Sequence, residues 1–148
     1  MELWELVARE SIRDLIARYN ANGDSGRFAQ VAALFTEDAV YDVEGVVHRG
    51  AQGVLDVMTT AARDMGSSGA PSIVRHFTST TQIDLTDQTH ATARSYWAVV
   101  MPHGLDHWGR YLDAYEQREG RWLIAQRTVV VDGQVEGGWD WQQRHQVP

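Results

Sequence analysis

The chain contains no cysteine, which excludes disulfides, thiolate metal sites and a cysteine nucleophile and removes any need for an oxidising compartment. Positive charge is also scarce: 13 basic residues stand against 20 acidic ones, for a net charge of −7, and no basic cluster overrides that average. Such a balance repels phosphate backbones and anionic surfaces, so neither nucleic acid nor a membrane is expected as a partner. No segment approaches the ~18 consecutive apolar residues of a membrane span. The first ten residues mix acids with apolar side chains where a signal peptide starts basic and continues apolar, so a soluble cytoplasmic protein is expected. Also missing are a glycine-rich phosphate loop after a strand, a nucleophile elbow and a dinucleotide fingerprint, so no cofactor is expected. His103 and His107 are spaced like a helical metal pair, but they flank a glycine-containing turn, and His48, His90 and His145 fall in turns or at ends. No metal site is expected.

What is present suits a single domain over residues 1–148, since 43% of the 148 residues are hydrophobic and can fill one core but not two. From Trp4 to Tyr19 the apolar positions Trp4, Ala8, Ile12, Leu15, Ile16 and Tyr19 recur at helical spacing. The run from Asn22 to Gly26 is rich in turn formers and breaks that helix, leaving Asp24 at a helix junction where it or Ser25 caps the next one. Phe28, Val31, Ala32, Leu34 and Phe35 stripe the second helix, which Glu37 and Asp38 end. A short strand over Ala39–Glu44, a turn at Gly45, a bend at His48 to Gly50 and a third helix over Ala51–Met65 follow.

After the loop from Gly66 to Pro71 the composition turns to β and stays there. Ser72–Thr86, His90–Met101, His107–Arg118 and Arg121–Val131 read as four long strands joined by tight turns, hence antiparallel neighbours. Three helices before a four-stranded meander make an α+β domain, and a strongly twisted sheet covered by those helices curls into a cone with a pocket inside. Residues 133–148 form a C-terminal tail that either crosses the pocket mouth or hangs free. Strict alternation along the first long strand puts His76, Thr78, Thr80 and Gln82 on one face and Phe77, Ser79, Thr81, Ile83 and Leu85 on the other. His76 is then either a core histidine satisfied by nearby hydroxyls or a proton-transfer group. Neither parity of the long strands is purely charged, as Ala91, Ala93, Ser95 and Trp97 against Thr92, Arg94, Tyr96 and Ala98 illustrate. A homodimer or larger homo-oligomer packed through the sheet is therefore expected.

The stretches Ile12 to Tyr19, Leu34 to Ala39, Gly109-Arg110-Tyr111 and Gly120-Arg121-Trp122 resemble the SnoaL-like branch of the nuclear-transport-factor-2-like superfamily. The resemblance runs from Glu10 to Asp132 and implies the cone-shaped α+β barrel shared by its dehydratases, isomerases, cyclases and non-catalytic members. Within it the chain is similar to scytalone dehydratase, bile acid 7α-dehydratase and hexachlorocyclohexane dehydrochlorinase. These pair an aspartate just after the first helix with a histidine on the first long strand, positions matched by Asp24 and His76. The resemblance thus implies a lyase of the dehydratase type, with His76 as general base and Asp24 orienting it. Tyr19 and Tyr41 are candidate donors to a substrate oxygen. Phe28, Trp97, Met101 and Trp108, with Phe77, are candidates for an apolar lining around a small hydrophobic, cyclic substrate, and Arg127 for an anionic or leaving group. A cyclase or isomerase returning the proton, or a non-catalytic small-molecule-binding module, would use the same pocket.

Overall fold

The computed structural model describes residues 1–66 and 73–146. The loop expected after Gly66, and the strand start expected at Ser72, lie outside the described residues. The chain opens with α1 (Leu3–Asp24), then α2 (Phe28–Ala32), β1 (Phe35–Val43), β2 (Val46–Arg49) and α3 (Gly50–Gly66). Then come β3 (Arg75–Leu85), β4 (His90–Met101), β5 (Gly104–Arg118), β6 (Arg121–Gln134) and a terminal α4 (Trp139–Arg144). No helix among the described residues is long and apolar enough to cross a membrane.

The stripe of α1 forms because Ala8, Ile12, Leu15, Ile16 and Tyr19 fall on one face, and all five are buried against the sheet. Its start is fixed by a capping box between Glu2 and Glu5. Contrary to expectation, Asn22 and Gly23 do not break it: the helix runs on through Asp24 and closes where Ser25 caps the carbonyls of Asn22 and Gly23. Asp24 and Ser25 consequently cap nothing downstream, and Arg27, which precedes α2, makes no side-chain cap bond. The second helix is also shorter than its stripe suggests. Leu34 and Phe35 leave it because the backbone there joins the sheet, with Ile124 N–H donating to the Leu34 carbonyl.

Six strands form one curved sheet in the order β2-β1-β6-β5-β4-β3, which does not close. The meander β3 to β6 is antiparallel throughout, while β1 lies parallel to β6, a pairing that local pattern alone does not reveal. The strict alternation along β3 fails between Thr78 and Thr81, where the register against β4 shifts. Thr78 faces inward, but beyond the bulge Thr81, Ile83 and Leu85 do so instead of Thr80 and Gln82.

Register stacks the inward side chains in rows across the sheet. One row holds Ile83, Ala93, Asp113, Arg127 and Tyr41, and the next holds Thr81, Ser95, Tyr111, Val129 and Val43. Then follow Thr78, Trp97, Gly109 and Val131, and finally His76, Val99 and His107. Gly109 leaves space in this stack, since a Cβ there would lie 1.8 Å from the Val130 carbonyl oxygen and 2.8 Å from the Trp97 indole.

Candidate active site

A cavity of about 530 Å³ lies between the concave face and the four helices α1 to α4. Its walls are largely apolar, with Phe28, Met58 and Met65 on the helical side and Trp97 on the sheet. The polar groups converge at a few points, as small-molecule sites generally require.

The first is the pair Asp24 and His76, both lining the cavity. Asp24 Oδ1 accepts from His76 Nδ1 at 2.6 Å, and Oδ2 accepts from the His76 backbone N–H at 2.8 Å. Because a carboxylate only accepts, Nδ1 carries the hydrogen and Nε2 holds the lone pair of the neutral ring. The side chains are 24% and 10% exposed, so the ring is reachable while its partner is shielded. Asp24 ends α1, where the helix dipole disfavours a negative charge by about 0.3–1 kcal/mol. An aspartate there is poorly explained by helix stability and well explained by its two bonds to His76.

The second point is the tyrosine cluster. The Tyr19 and Tyr41 hydroxyls are hydrogen-bonded to each other at 2.5 Å, and both residues line the cavity although only 5% and 3% exposed. Burial pushes both phenols above their ordinary value, and for Tyr41 the neighbouring Tyr19 adds to the effect. They remain protonated, and of their two hydrogens only one is spent on the mutual bond. Tyr111 OH donates to Asn20 Oδ1 at 3.1 Å, and Asn20 Nδ2 donates to Thr78 Oγ1 at 2.9 Å, which fixes the wall between tyrosines and histidine.

The third point went unnoticed in the sequence. His107, expected to open a long strand beside a glycine-containing turn, lies inside β5, is 7% exposed and lines the cavity. Its Nδ1 donates to Asp106 Oδ2 at 2.7 Å. Asp106 is fully buried and also accepts from His103 Nε2 at 2.8 Å and from the backbone N–H groups of Trp139 at 2.6 Å and Asp140 at 3.1 Å. Burial pushes the Asp106 carboxyl up, but the donors from Asp140, His107 and Trp139 outweigh it and the net shift is downward. The same bonds dock α4, so the tail folds back and Trp139 and Asp140 join the cavity wall. The adjacent Asp106-His107 was the available sequence signal.

Several expected lining residues lie elsewhere. Phe77 is 60% exposed and Trp108 36% exposed, both on the convex side because their strands alternate. Met101 packs against the core at the end of β4, outside the cavity lining. Arg127 faces inward but is fully buried below the cavity: Nε and Nη2 donate to Asp113 at 2.9 and 2.8 Å, and its guanidinium stacks 4.1 Å from the centroids of Tyr19 and Tyr111. Burial opposes its charge and Asp113 outweighs that, so it stays cationic as a support for the tyrosines, out of a ligand's reach. Phe28 and Trp97 do line the cavity. Among the described residues no group of three or more His, Asp or Glu side chains is placed to hold a metal ion.

Residues 4–128 match the model of the SnoaL-like domain, and the chain is a member of that family. No curated protein matches the sequence. Among solved structures, a protein of unknown function from Mycobacterium tuberculosis is 26% identical, with a TM-score of 0.76 over 90% of this chain and 77% of that one. LinA is 19% identical with a TM-score of 0.78, over 91% of this chain and 94% of that one. A structure described as a putative scytalone dehydratase from Novosphingobium aromaticivorans is 20% identical with a TM-score of 0.77, over 92% and 91%.

Proposed function

We propose that the chain is a lyase of the dehydratase type that eliminates water from a small hydrophobic, cyclic substrate without a cofactor. The observation that carries this reading is the 2.6 Å contact between Asp24 and His76 Nδ1 at the cavity wall. It leaves Nε2 as a base of fixed tautomer facing an apolar chamber. His76 takes a proton from the carbon beside a carbonyl, Asp24 steadies the resulting imidazolium, and the Tyr19–Tyr41 pair supplies the donor for the developing enolate oxygen. Absence of both lysine and cysteine leaves no Schiff-base or thiolate route through this chain's own side chains. The dehydratase and dehydrochlorinase descriptions of similarly folded proteins support the same chemistry.

The test is a screen of cyclic β-hydroxy ketones, read by mass for loss of water, with wild type and His76→Ala. Elimination that disappears in the variant supports the reading. Product of unchanged mass would make the protein an isomerase or cyclase, and binding unaltered by His76→Ala with no turnover in either protein would make it a binding module. Assembly belongs to the proposal too. Phe77, Ala98 and Trp108 form an apolar row across three strands on the convex face, which a second copy related by symmetry would cover. Trp108→Arg should then shift the sedimenting species toward monomer, and a wild-type monomer at micromolar concentration would refute the assembly.

A further inference from the structure

The cavity holds two histidines, each with its Nδ1 on an aspartate, and the lyase reading above uses only one of them. We infer that His107, held by Asp106, is the general acid that protonates the departing oxygen in the elimination begun by His76; the inference rests on that reading. His76, Val99 and His107 are register partners on three neighbouring strands, so both imidazoles stand on the concave face two strand spacings apart. That is about 10 Å between their Cα atoms. With a contact of about 3 Å at each end, the remaining gap suits a C–H and a leaving oxygen on adjacent carbons.

The surroundings of His107 differ from those of His76. Both oxygens of Asp106 are occupied, one of them by His107 Nδ1, so the ring is held with Nε2 as its only unengaged nitrogen. The Trp97 and Trp139 rings pack beside it, at 5.4 and 5.9 Å between centroids, and neither indole N–H has a partner among the described residues. Each of the two rings flanking His107 thus carries a buried donor without a protein acceptor. The titratable and charged groups around His107 are Asp106 and His103, Asp140 with Arg144 on α4, Tyr111 on its own strand, and His76 with Asp24 across the row.

The step balances. His76 Nε2 takes the proton, the C–H electron pair becomes the second bond of the new C=C, and the C–O bond breaks with its pair on oxygen. That oxygen takes the Nε2 proton of the His107 imidazolium and leaves as water. His76 ends protonated and His107 neutral, and exchange of one proton each with solvent resets them.

The experiment takes the β-hydroxy ketone turned over fastest in the screen and its β-chloro counterpart, because chloride departs without a proton. Wild type should give a bell-shaped pH–rate profile on the hydroxy compound and lose the alkaline limb on the chloro compound, a comparison that needs no variant. His107→Gln should lower kcat on the hydroxy compound by about 100-fold or more and on the chloro compound by only a few-fold, whereas His76→Gln should lower both alike. Equal losses on both compounds in His107→Gln, or the same bell for both in wild type, would overturn the role of His107 while leaving the lyase reading in place. Wild type inert on the whole screen would remove both.

Discussion

Replacing Asp24 by asparagine inverts a hydrogen-bond pattern without changing shape, and the outcome can be worked out atom by atom. The carboxylate accepts from two donors of the same residue, Nδ1 at 2.6 Å and the backbone N–H of His76 at 2.8 Å. Asparagine has one acceptor oxygen and one donor NH₂ in the same positions. The backbone N–H cannot change its polarity, so the oxygen must face it and the NH₂ must face Nδ1. The ring then presents its lone pair at Nδ1 and its hydrogen at Nε2, the reverse of what a base at the cavity wall needs. Restoring the active tautomer sets donor against donor at a cost of about 1–3 kcal/mol, and losing a charged partner for the imidazolium costs about 1.5–3 kcal/mol more. At about 1.4 kcal/mol per factor of ten, turnover should fall by about 10²–10⁴-fold.

Both bonds survive in number, so the Asp24→Asn protein should stay folded, with its melting temperature moved by no more than a few degrees. Long-range nitrogen–proton NMR of the imidazole reads the tautomer directly and needs no substrate. Wild type should show His76 protonated at Nδ1 when neutral, and the variant at Nε2. A variant that keeps the Nδ1 hydrogen, or one that switches tautomer yet eliminates at the wild-type rate, would refute the reasoning.

Asp113→Ala leaves the buried Arg127 guanidinium without its partner and should cost about 3–5 kcal/mol, lowering the calorimetric melting temperature by about 10 °C; Asp113→Leu together with Arg127→Met should recover most of that. Gly109→Ala forces a methyl into the Val130 carbonyl and the Trp97 ring, so β5 and β6 must part, and chemical denaturation should show a loss of about 2 kcal/mol or more. Asp106 has a folded-state pKa below its ordinary value, so its contribution to stability is complete above the usual carboxylate range and disappears as pH falls through the lowered value. The stability difference between wild type and Asp106→Asn should hence be constant near neutrality and shrink in acid, and a difference that grows on acidification contradicts the assignment.

Where the sequence could be read directly, the signal was local. The stripe through Ala8, Ile12, Leu15 and Ile16 names the buried face of α1, and the turns at Asp87, Gly104 and Gly120 set the antiparallel meander, because helical period and turn chemistry depend on near neighbours. The misreadings share a different cause. Gly23 stays inside α1 on a helix whose Tyr19, Asn20 and Asp24 are tied to distant strands, and the bulge after Thr78 is set by pairing with β4. Arg127 takes its position from Asp113 and Tyr41, register partners on two other strands.

The same distinction separates the two histidines. His76 could be singled out because it stands alone on a β run and because an aspartate at the end of α1 matches the resembling proteins. His107 follows the turn before β5 and is preceded by an aspartate, a pattern with an ordinary solvated reading. Its burial depends on the far end of the chain: Asp106 holds the backbone of Trp139 and Asp140, and α4 thereby closes over that side of the cavity. A side chain's chemistry here is decided by which segment returns to cover it. For His107 the covering segment lies more than 30 residues downstream, beyond the reach of any local pattern.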